Sequence, residues 1–214
     1  MVVFGLWGIL NHVDLEIKKY TGGVAETNSY LVKNGDESLL IDASSGVTEW
    51  LSSIGEQPSD VLLTHQHYDH VEDVAKLSAK GVRVHAYGAH SRELTLEAVK
   101  EAAGLSLYVE PYTVDDILND KSEIIAAGIR FRIEHIPGHS PDSIAFLNDG
   151  YAFSGDTIFA GSIGRADLPG GDMQLLIDGI KAKLMGEPGD TRVLPGHGPE
   201  TSVAQEAARN PYVQ

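Results

Sequence analysis

Four apolar runs in this sequence end in the same way, with a small or turn-forming residue followed by a histidine or an aspartate. The four ends are VLL-Thr64-His65, IEHI-Pro137-Gly138-His139, YAF-Ser154-Gly155-Asp156 and RVL-Pro195-Gly196-His197. An apolar strand that stops in such a turn places the next side chain at the rim of a sheet, where layered α/β proteins bind ligands. We therefore expect four distant parts of the chain to meet in one cleft.

The rest of the sequence predicts a layered scaffold for these four ends. Hairpin turns are expected at Asn34-Gly35, Ala127-Gly128 and Asp149-Gly150, because such pairs adopt the positive φ angles of tight turns. Helical runs are predicted over residues 47–54, 73–80, 91–103 with Ser91 as the N-cap, 172–185 and 202–209. This order indicates an α/β protein with two packed sheets and helices outside them. A length of 214 residues predicts one domain over residues 1–214.

The charge balance restricts the partners of the chain. It has 16 Lys and Arg residues against 31 Asp and Glu residues, a formal net charge of -15. Such a field repels polyanions, so neither nucleic acid nor an anionic membrane surface is expected as a partner. A small-molecule substrate is expected instead, and the oligomeric state stays open.

The sequence contains no cysteine, so disulfides, thiolate metal ligands and a cysteine nucleophile are excluded, and a cytoplasmic location is the default expectation. No apolar stretch approaches the roughly 18 residues that span a bilayer. Residues 1–10 are apolar, but they lack a preceding basic region and a following A-x-A-like cleavage site. We expect them to be structural.

The densest group of potential ligands is the sequence THQHYDH, with His65, His67, Asp69 and His70 in six consecutive residues. Imidazole and carboxylate groups suit Zn, Fe or Mn. A continuous helix would not place residues 65, 67 and 69 on one face, whereas an extended segment can. We therefore expect a metal site on a loop that leaves the strand. The alternative, surface histidines, is disfavoured by the three similar strand ends.

The remaining histidines lack this position at a strand end. They are His12, His85, His90 and His135. His135 alternates with Phe131 and Ile133, which is typical of a half-buried structural residue. We expect all four to be structural.

Four motifs together carry a resemblance to a known family. THQHYDH, PGHSPDS around His139, SGDTIFAGSIGRADLPGGD around Asp156 and LPGHGPET around His197 resemble the metallo-β-lactamase-fold hydrolases. They are most similar to the short bacterial glyoxalase II-like branch, the hydroxyacylglutathione hydrolase-type enzymes. The four motifs extend from about Thr64 to Thr201, and the upstream Tyr-Leu-Val hairpin and Ile41-Asp42 are also similar, so the resemblance covers most of the chain. It implies an αββα four-layer sandwich.

The resemblance also implies two divalent metal ions at the rim of the sheets. His65, His67 and His139 would hold one ion, Asp69, His70 and His197 the second, and Asp156 would bridge them. Zn is expected, with Fe or Mn as alternatives, because the same ligands accept all three.

A thioester hydrolase is the activity that this resemblance favours. Hydroxide activated by the two ions would attack the thioester of S-2-hydroxyacylglutathione (S-lactoylglutathione) or of a similar acyl thiol. A thiolate leaves without the general acid that an amine needs. Asp69 is a candidate catalytic residue that orients the hydroxide, with simple ligation as the alternative.

Other activities stay open within the family. A mononuclear iron persulfide dioxygenase needs only a two-histidine, one-carboxylate subset of these ligands, and a lactonase would use the same hydroxide. A non-enzymatic metal-binding or partner-binding module is a third hypothesis. A cysteine-bearing β-lactamase site is excluded.

Substrate recognition is less defined by the sequence. Arg165 is the candidate clamp for a substrate carboxylate, and pairing with Asp167 or Asp172 is its alternative role. Tyr68 either lines the cleft or packs structurally. Asp142 stands where many relatives carry glycine in PGHTPGS. Larger glyoxalase II enzymes bind glutathione partly through a C-terminal helical domain that this sequence does not contain, so the carrier thiol stays open.

Overall fold

The first of two large sheets is built from the N-terminal half of the chain. The computed structural model describes residues 15–104 and 106–214, so the predictions for residues 1–10 and His12 lie outside it. The sheet has the order β1-β2-β3-β4-β5-β6, antiparallel from β1 to β3 and parallel from β3 to β6. Its strands are β1 (Glu16–Gly22), β2 (Thr27–Asn34), β3 (Glu37–Ile41), β4 (Asp60–Leu62), β5 (Arg83–Ala86) and β6 (Asp116–Ile117).

The second sheet comes from the C-terminal half and is mostly antiparallel. One edge of this sheet is formed by the last two strands of the chain, and four earlier strands follow in reverse chain order. Its one parallel pair consists of the strands at residues 151–155 and 192–195. A small separate hairpin precedes the last two strands. The strands are β7 (Glu123–Ala126), β8 (Ile129–His135), β9 (Ile144–Asn148), β10 (Tyr151–Gly155), β11 (Ile158–Phe159) and β12 (Ser162–Ile163) of the hairpin, β13 (Arg192–Pro195) and β14 (Thr201–Ser202).

Within residues 15–104 and 106–214, six helices cover the outer faces of the sheets or join the strands. They are α1 (Val47–Ser53), α2 (Tyr68–Val71), α3 (Val74–Ser78), α4 (Glu97–Ala102), α5 (Met173–Lys183) and α6 (Val203–Arg209). Asp172 caps α5 by accepting a hydrogen bond from the Leu175 N–H, and Ser202 caps α6 in the same way through Gln205. In the described ranges, no helix is both long and apolar enough to cross a bilayer.

Three apolar clusters define four layers. One cluster joins the inner faces of the two sheets and contains Phe131, Phe146 and Phe153, all fully buried. A second packs the outer face of the first sheet against α1 and α3, and a third packs the outer face of the second sheet against α5 and α6. The αββα sandwich expected from the resemblance is therefore present.

The predicted hairpin turns form where expected. Gly35 has φ 62°, Gly150 has φ 81°, and Ala127 and Gly128 have φ 47° and 68°. These left-handed angles fit turns whose twist matches that of the flanking strands. Three of the strand connections could thus be read from short turn sequences.

The helix predicted over residues 91–103 is wrong in its first half. The Ser91 hydroxyl does accept hydrogen bonds from Glu93 N–H (3.2 Å) and Leu94 N–H (3.4 Å). Leu96, however, adopts a left-handed conformation with φ 64°, so the cap starts only a series of turns and α4 begins at Glu97. The THQHYDH segment also differs in part, because its last residues form the single turn of α2 rather than a loop.

Candidate metal centre

The seven side chains predicted as ligands lie together beyond the ends of β4, β8, β10 and β13. They form three groups, and within each group the potential ligand atoms all lie within 4.8 Å of one another. The groups are His65 with His67 and His139, His65 with His70 and Asp156, and Asp69 with His70 and His197. His65 and His70 connect the groups, so the four strand ends converge on one centre as the sequence predicts.

Asp156 stands between the histidines of this centre. Its Oδ1 lies 3.3 Å from His70 Nε2, and its Oδ2 lies 3.3 Å from His197 Nε2 and 3.5 Å from His139 Nε2. The carboxylate therefore lies within 3.5 Å of one histidine from the first group, His139, and of two histidines from the third, His70 and His197.

Several buried polar atoms of the centre have no hydrogen-bond partner among the described residues. They are His65 Nε2, His70 Nε2, His139 Nε2 and Asp156 Oδ1. Unpaired buried polar atoms are rare and costly in native proteins. All four atoms belong to residues of the clustered donor groups, and binding of cations would explain their lack of hydrogen bonds, so the donor set fits divalent metal ions held by nitrogen and oxygen.

In four of the five histidines of the centre, the ring nitrogen Nδ1 lies within hydrogen-bond distance of another protein group. Such bonds fix the ring orientation and the tautomer of a metal-binding histidine. The Nδ1 atoms pair as follows: His65 with Thr64 Oγ1 (3.2 Å), His70 with Asp42 Oδ2 (2.8 Å), His139 with the Arg165 carbonyl (2.8 Å) and His197 with the Ala25 carbonyl (3.1 Å). In each of these rings Nε2 is left for the centre.

Asp42 and Thr27 support the centre, and the sequence analysis assigned neither a role. Asp42 accepts hydrogen bonds from both Thr64 N–H (2.8 Å) and Thr64 Oγ1 (2.7 Å), in addition to its contact with His70. Thr27 Oγ1 donates to Asp69 Oδ2 (2.7 Å). Asp42 directly follows the apolar run of β3, without the turn residue that the other four ends have, and an acidic residue at a strand end is a signal that could have identified it.

The charges of the metal-free centre divide it into two halves. Burial and the neighbouring histidines hold the pKa of His65 well below its usual value and lower the pKa of His67 to about 3. In the other half, burial favours neutral rings, but the carboxylates of Asp156 and Asp69 raise the pKa of His197 to about 10 and that of His70 well above its usual value. His65 and His67 are therefore neutral at neutral pH, whereas His70 and His197 hold protons.

The charges of the histidines also shift the pKa of the carboxyl groups in the centre, in the downward direction. Burial opposes ionisation of Asp69 and Asp156, but the adjacent His70 and His197 lower the pKa of both carboxyl groups below the usual range. Both are therefore ionised at neutral pH. Ionised carboxylates are the form that ligates metal ions.

Two glycines allow the backbone to pass close to Asp156. A Cβ at Gly196 would lie 2.2 Å from Asp156 Oδ1, and one at Gly164 would lie 1.9 Å from the Asp156 carbonyl oxygen. Neither position can accept a side chain without movement of the centre. This explains a glycine in each of the segments GSIGR and LPGHG.

The two predicted substrate residues lie beside the centre with other partners. The Arg165 guanidinium forms two hydrogen bonds of 2.7 Å with Asp167, one of the two alternative partners expected, and both side chains are exposed. Tyr68 packs against the outer apolar cluster of the first sheet, with Lys100 Nζ 5.8 Å from its ring centroid. The backbone carbonyl of Arg165, rather than its side chain, contacts a predicted ligand.

The other described histidines make structural contacts. His85 lies between Asp60 (2.8 Å) and Asp116 (3.4 Å). His135 stacks on Tyr87, and His90 packs on the ring of Tyr112. They lie outside the groups of potential ligands, in agreement with the prediction for these three residues.

Comparison with known proteins defines the class to which this fold and site belong. The sequence pattern of the Metallo-beta-lactamase superfamily matches residues 22–197, and the chain belongs to that superfamily. With the seven clustered donors, this identifies a metallo-hydrolase fold and a centre for divalent metals.

Particular relatives resemble the chain over most of its length. A Haemophilus influenzae protein described as hydroxyacylglutathione hydrolase GloC is 37% identical over 161 residues, covering 72% of this chain and 74% of that protein. Among solved structures, BLEG-1 B3 metallo-beta-lactamase has a TM-score of 0.84 and 29% identity, covering 93% of this chain and all of the other. TTHA1623, in a di-iron-bound form, has a TM-score of 0.79 and 35% identity, covering 91% and 99%.

Proposed function

We propose that this protein is a dinuclear metal-dependent thioester hydrolase that acts on S-2-hydroxyacylglutathione, such as S-lactoylglutathione, or on a similar acyl thioester. The observation that carries the proposal is the pair of adjacent donor groups with Asp156 between them. The identity to a protein described as hydroxyacylglutathione hydrolase supports the substrate class. The proposed location is the cytoplasm.

The proposed ligand sets divide the seven residues between two ions. His65, His67 and His139 would hold one ion, Asp69, His70 and His197 would hold the other, and Asp156 would be shared between them. When bound, two such ions supply a Lewis acid for a carbonyl oxygen and lower the pKa of a water molecule towards neutrality. Zinc is the proposed metal, and the di-iron form of a similar structure supports testing iron and manganese beside it.

Asp69 is the proposed catalytic residue of the chain. Its Oδ2 accepts the Thr27 Oγ1 hydrogen bond at 2.7 Å and lies 3.3 Å from His197 Nε2, so the carboxylate is held in one orientation. It is about 8% exposed and ionised, which makes it a fixed hydrogen-bond acceptor within the centre. We propose that it orients the attacking water as well as binding metal.

Arg165 is the proposed contact for a carboxylate of the substrate, and Tyr68 a proposed contact beside it. An exposed ion pair such as Arg165 with Asp167 contributes little to stability. A substrate carboxylate can therefore replace Asp167 at small cost. The carbonyl of Arg165 already binds His139, so a substrate held by this guanidinium lies next to the centre.

The experiment is an assay of metal-replete protein, prepared separately with zinc, iron and manganese. Thiol release from S-lactoylglutathione is expected, and His65→Ala should abolish it. A protein that binds two ions per chain yet releases thiol from none of several acyl thioesters would refute the proposal. Asp190→Ala, which changes an exposed carboxylate remote from the seven residues, is the control.

β-Lactam hydrolysis is the second candidate function. It is favoured by the similarity to BLEG-1, a structure described as a B3 metallo-beta-lactamase. The same preparations should therefore be assayed with a β-lactam and a lactone. If the iron-loaded protein binds one iron per chain and consumes oxygen when glutathione persulfide is added, the result would instead support a persulfide dioxygenase.

A further inference from the structure

The residue between two of the proposed ligands, Gln66, faces away from the centre and is fully buried. Its amide nitrogen donates to the carbonyls of Gly88 (3.1 Å) and Ala89 (3.3 Å), and Tyr112 Oη donates to its Oε1 (2.8 Å). The reverse side of the histidine segment is therefore bound to two other parts of the first half of the chain.

Asp142 connects this segment to the second half of the chain. Its Oδ2 accepts the backbone N–H of Gln66 at 3.0 Å, and its Oδ1 accepts Ser140 Oγ at 2.5 Å. Asp142 is only 3% exposed. One buried carboxylate thus joins the peptide between His65 and His67 to the loop that carries His139.

The histidine triad depends on how these two loops are spaced. The loop of His65 and His67 follows β4 in the first sheet, and the loop of His139 follows β8 in the second sheet. The rings of His67 and His139 have centroids 4.5 Å apart, and those of His65 and His139 are 4.9 Å apart. A small shift between the sheets would change both separations, whereas a carboxylate bonded to both loops resists it.

We propose that Asp142 is a positioning residue that sets the separation of the two loops carrying the histidine triad, and so controls the affinity of that half of the centre for its ion. The inference rests on the ligand assignment proposed above. It also gives a role to one of the two residues at which PGHSPDS in this chain differs from the PGHTPGS of many relatives.

Substitutions at Asp142 separate its hydrogen bonds from its charge. Alanine removes both links and leaves the buried Gln66 N–H without an acceptor. Asparagine keeps both, because its carbonyl oxygen can accept from Gln66 and its amide can donate to the Ser140 hydroxyl. If the two links position the loops, D142N should behave like the unchanged protein and D142A should not.

The test is titration of chelator-stripped protein with zinc against a competing chelator, which measures the affinity of each of the two ions. D142A is expected to weaken one ion by about tenfold to a hundredfold, the usual effect of removing a group that orients metal ligands. The second ion, held by Asp69, His70 and His197, should keep its affinity. D142N should stay within about threefold of the unchanged protein, and Asp190→Ala serves as the matched carboxylate control.

The outcomes separate this inference from the ligand assignment. An unchanged protein that does not take up two ions refutes the assignment itself. If the unchanged protein binds two ions, the positioning role is refuted when D142A leaves both affinities intact, weakens both equally, or is matched by D142N. Should D142A fail to fold, Ser140→Ala, which removes the hydrogen bond that orients the Asp142 carboxylate towards Gln66, is expected to weaken the same single ion to a smaller degree, and no weakening would overturn the inference.

Discussion

Asp42 shows how a single residue acts on two proposed ligands at once. One carboxylate oxygen accepts the Thr64 N–H, and the other faces both Thr64 Oγ1 and His70 Nδ1. Thr64 Oγ1 in turn lies 3.2 Å from His65 Nδ1. The orientation of His65 and His70 therefore depends on one side chain that does not itself face the metal centre.

Asp42→Asn is expected to weaken metal binding by about tenfold to a hundredfold. Asparagine tolerates the φ of 56° at this position, so the backbone should be unaffected. Its amide, however, must meet either the Thr64 N–H or the His70 ring, and one donor will face another donor. Chelator-competition titration measures the effect, and Asp36→Asn, at an exposed turn, is the control. Equal affinities of Asp42→Asn and the unchanged protein would contradict this role.

Gly196→Ala is expected to abolish binding of at least one ion, because the new Cβ would lie 2.2 Å from Asp156 Oδ1 and 2.6 Å from His70 Cε1. Metal analysis after dialysis checks this. Gly186→Ala is the control, since a Cβ there meets nothing within 4 Å in the described part of the chain. Full occupancy of Gly196→Ala would show that the centre can shift to accept the methyl group.

Metal loading is expected to release protons at neutral pH. In the metal-free protein, burial opposes protonation of His197, but Asp156 and Asp69 raise its pKa to about 10, and the pKa of His70 is raised as well. An ion must displace these protons, so its apparent affinity should rise with pH until His197 titrates. Calorimetry in two buffers of different ionisation enthalpy measures the release, and identical heats would contradict it.

At the scale of secondary-structure elements, helix α6 holds the hairpin that precedes Arg165. Glu206 is buried and accepts hydrogen bonds from Thr201 Oγ1 (2.5 Å), Gly161 N–H (2.9 Å) and Asn210 Nδ2 (2.8 Å). Asn210 also donates to the Ser162 carbonyl (2.9 Å). The helix thereby fixes the segment whose next residues contact Asp156 and His139.

Glu206→Ala is expected to lower the free energy of unfolding by about 1 to 3 kcal/mol, because it leaves buried donors unpaired. Hydrogen exchange should increase in residues 158–164 more than in the strands of the first sheet. Denaturant unfolding and exchange measurements check both effects, with the exposed Glu110→Ala as control. A uniform increase in exchange would argue against a local role for α6.

At the scale of the whole molecule, the net charge of -15 opposes the approach of an anionic substrate. Added salt screens this repulsion, since the Debye length falls from about 10 Å at 0.1 M to about 3 Å at 1 M. The kcat/KM for S-lactoylglutathione is therefore expected to rise with salt, whereas that for an uncharged thioester should not. A fall with salt would instead indicate that local cations such as Arg165 dominate the encounter.

Local sequence patterns alone predict which side chains can meet. Strand-end turns placed His65, His139, Asp156 and His197 at a rim, and turn sequences such as Asp149-Gly150 fixed the hairpins. These predictions succeed because apolar alternation and left-handed turn residues act over a few neighbouring positions, so their effect is local. The full set of seven ligands also drew on the family resemblance.

The groups that support those side chains become apparent once the two sheets are packed together. Asp42 reaches Thr64 because β3 lies parallel to β4, and Asp142 reaches Gln66 because the two sheets pack face to face. Leu96 likewise interrupts a helix that its local sequence favours. Such contacts join residues that are far apart in the chain, and their energies depend on distances and burial that exist only after the sheets have packed.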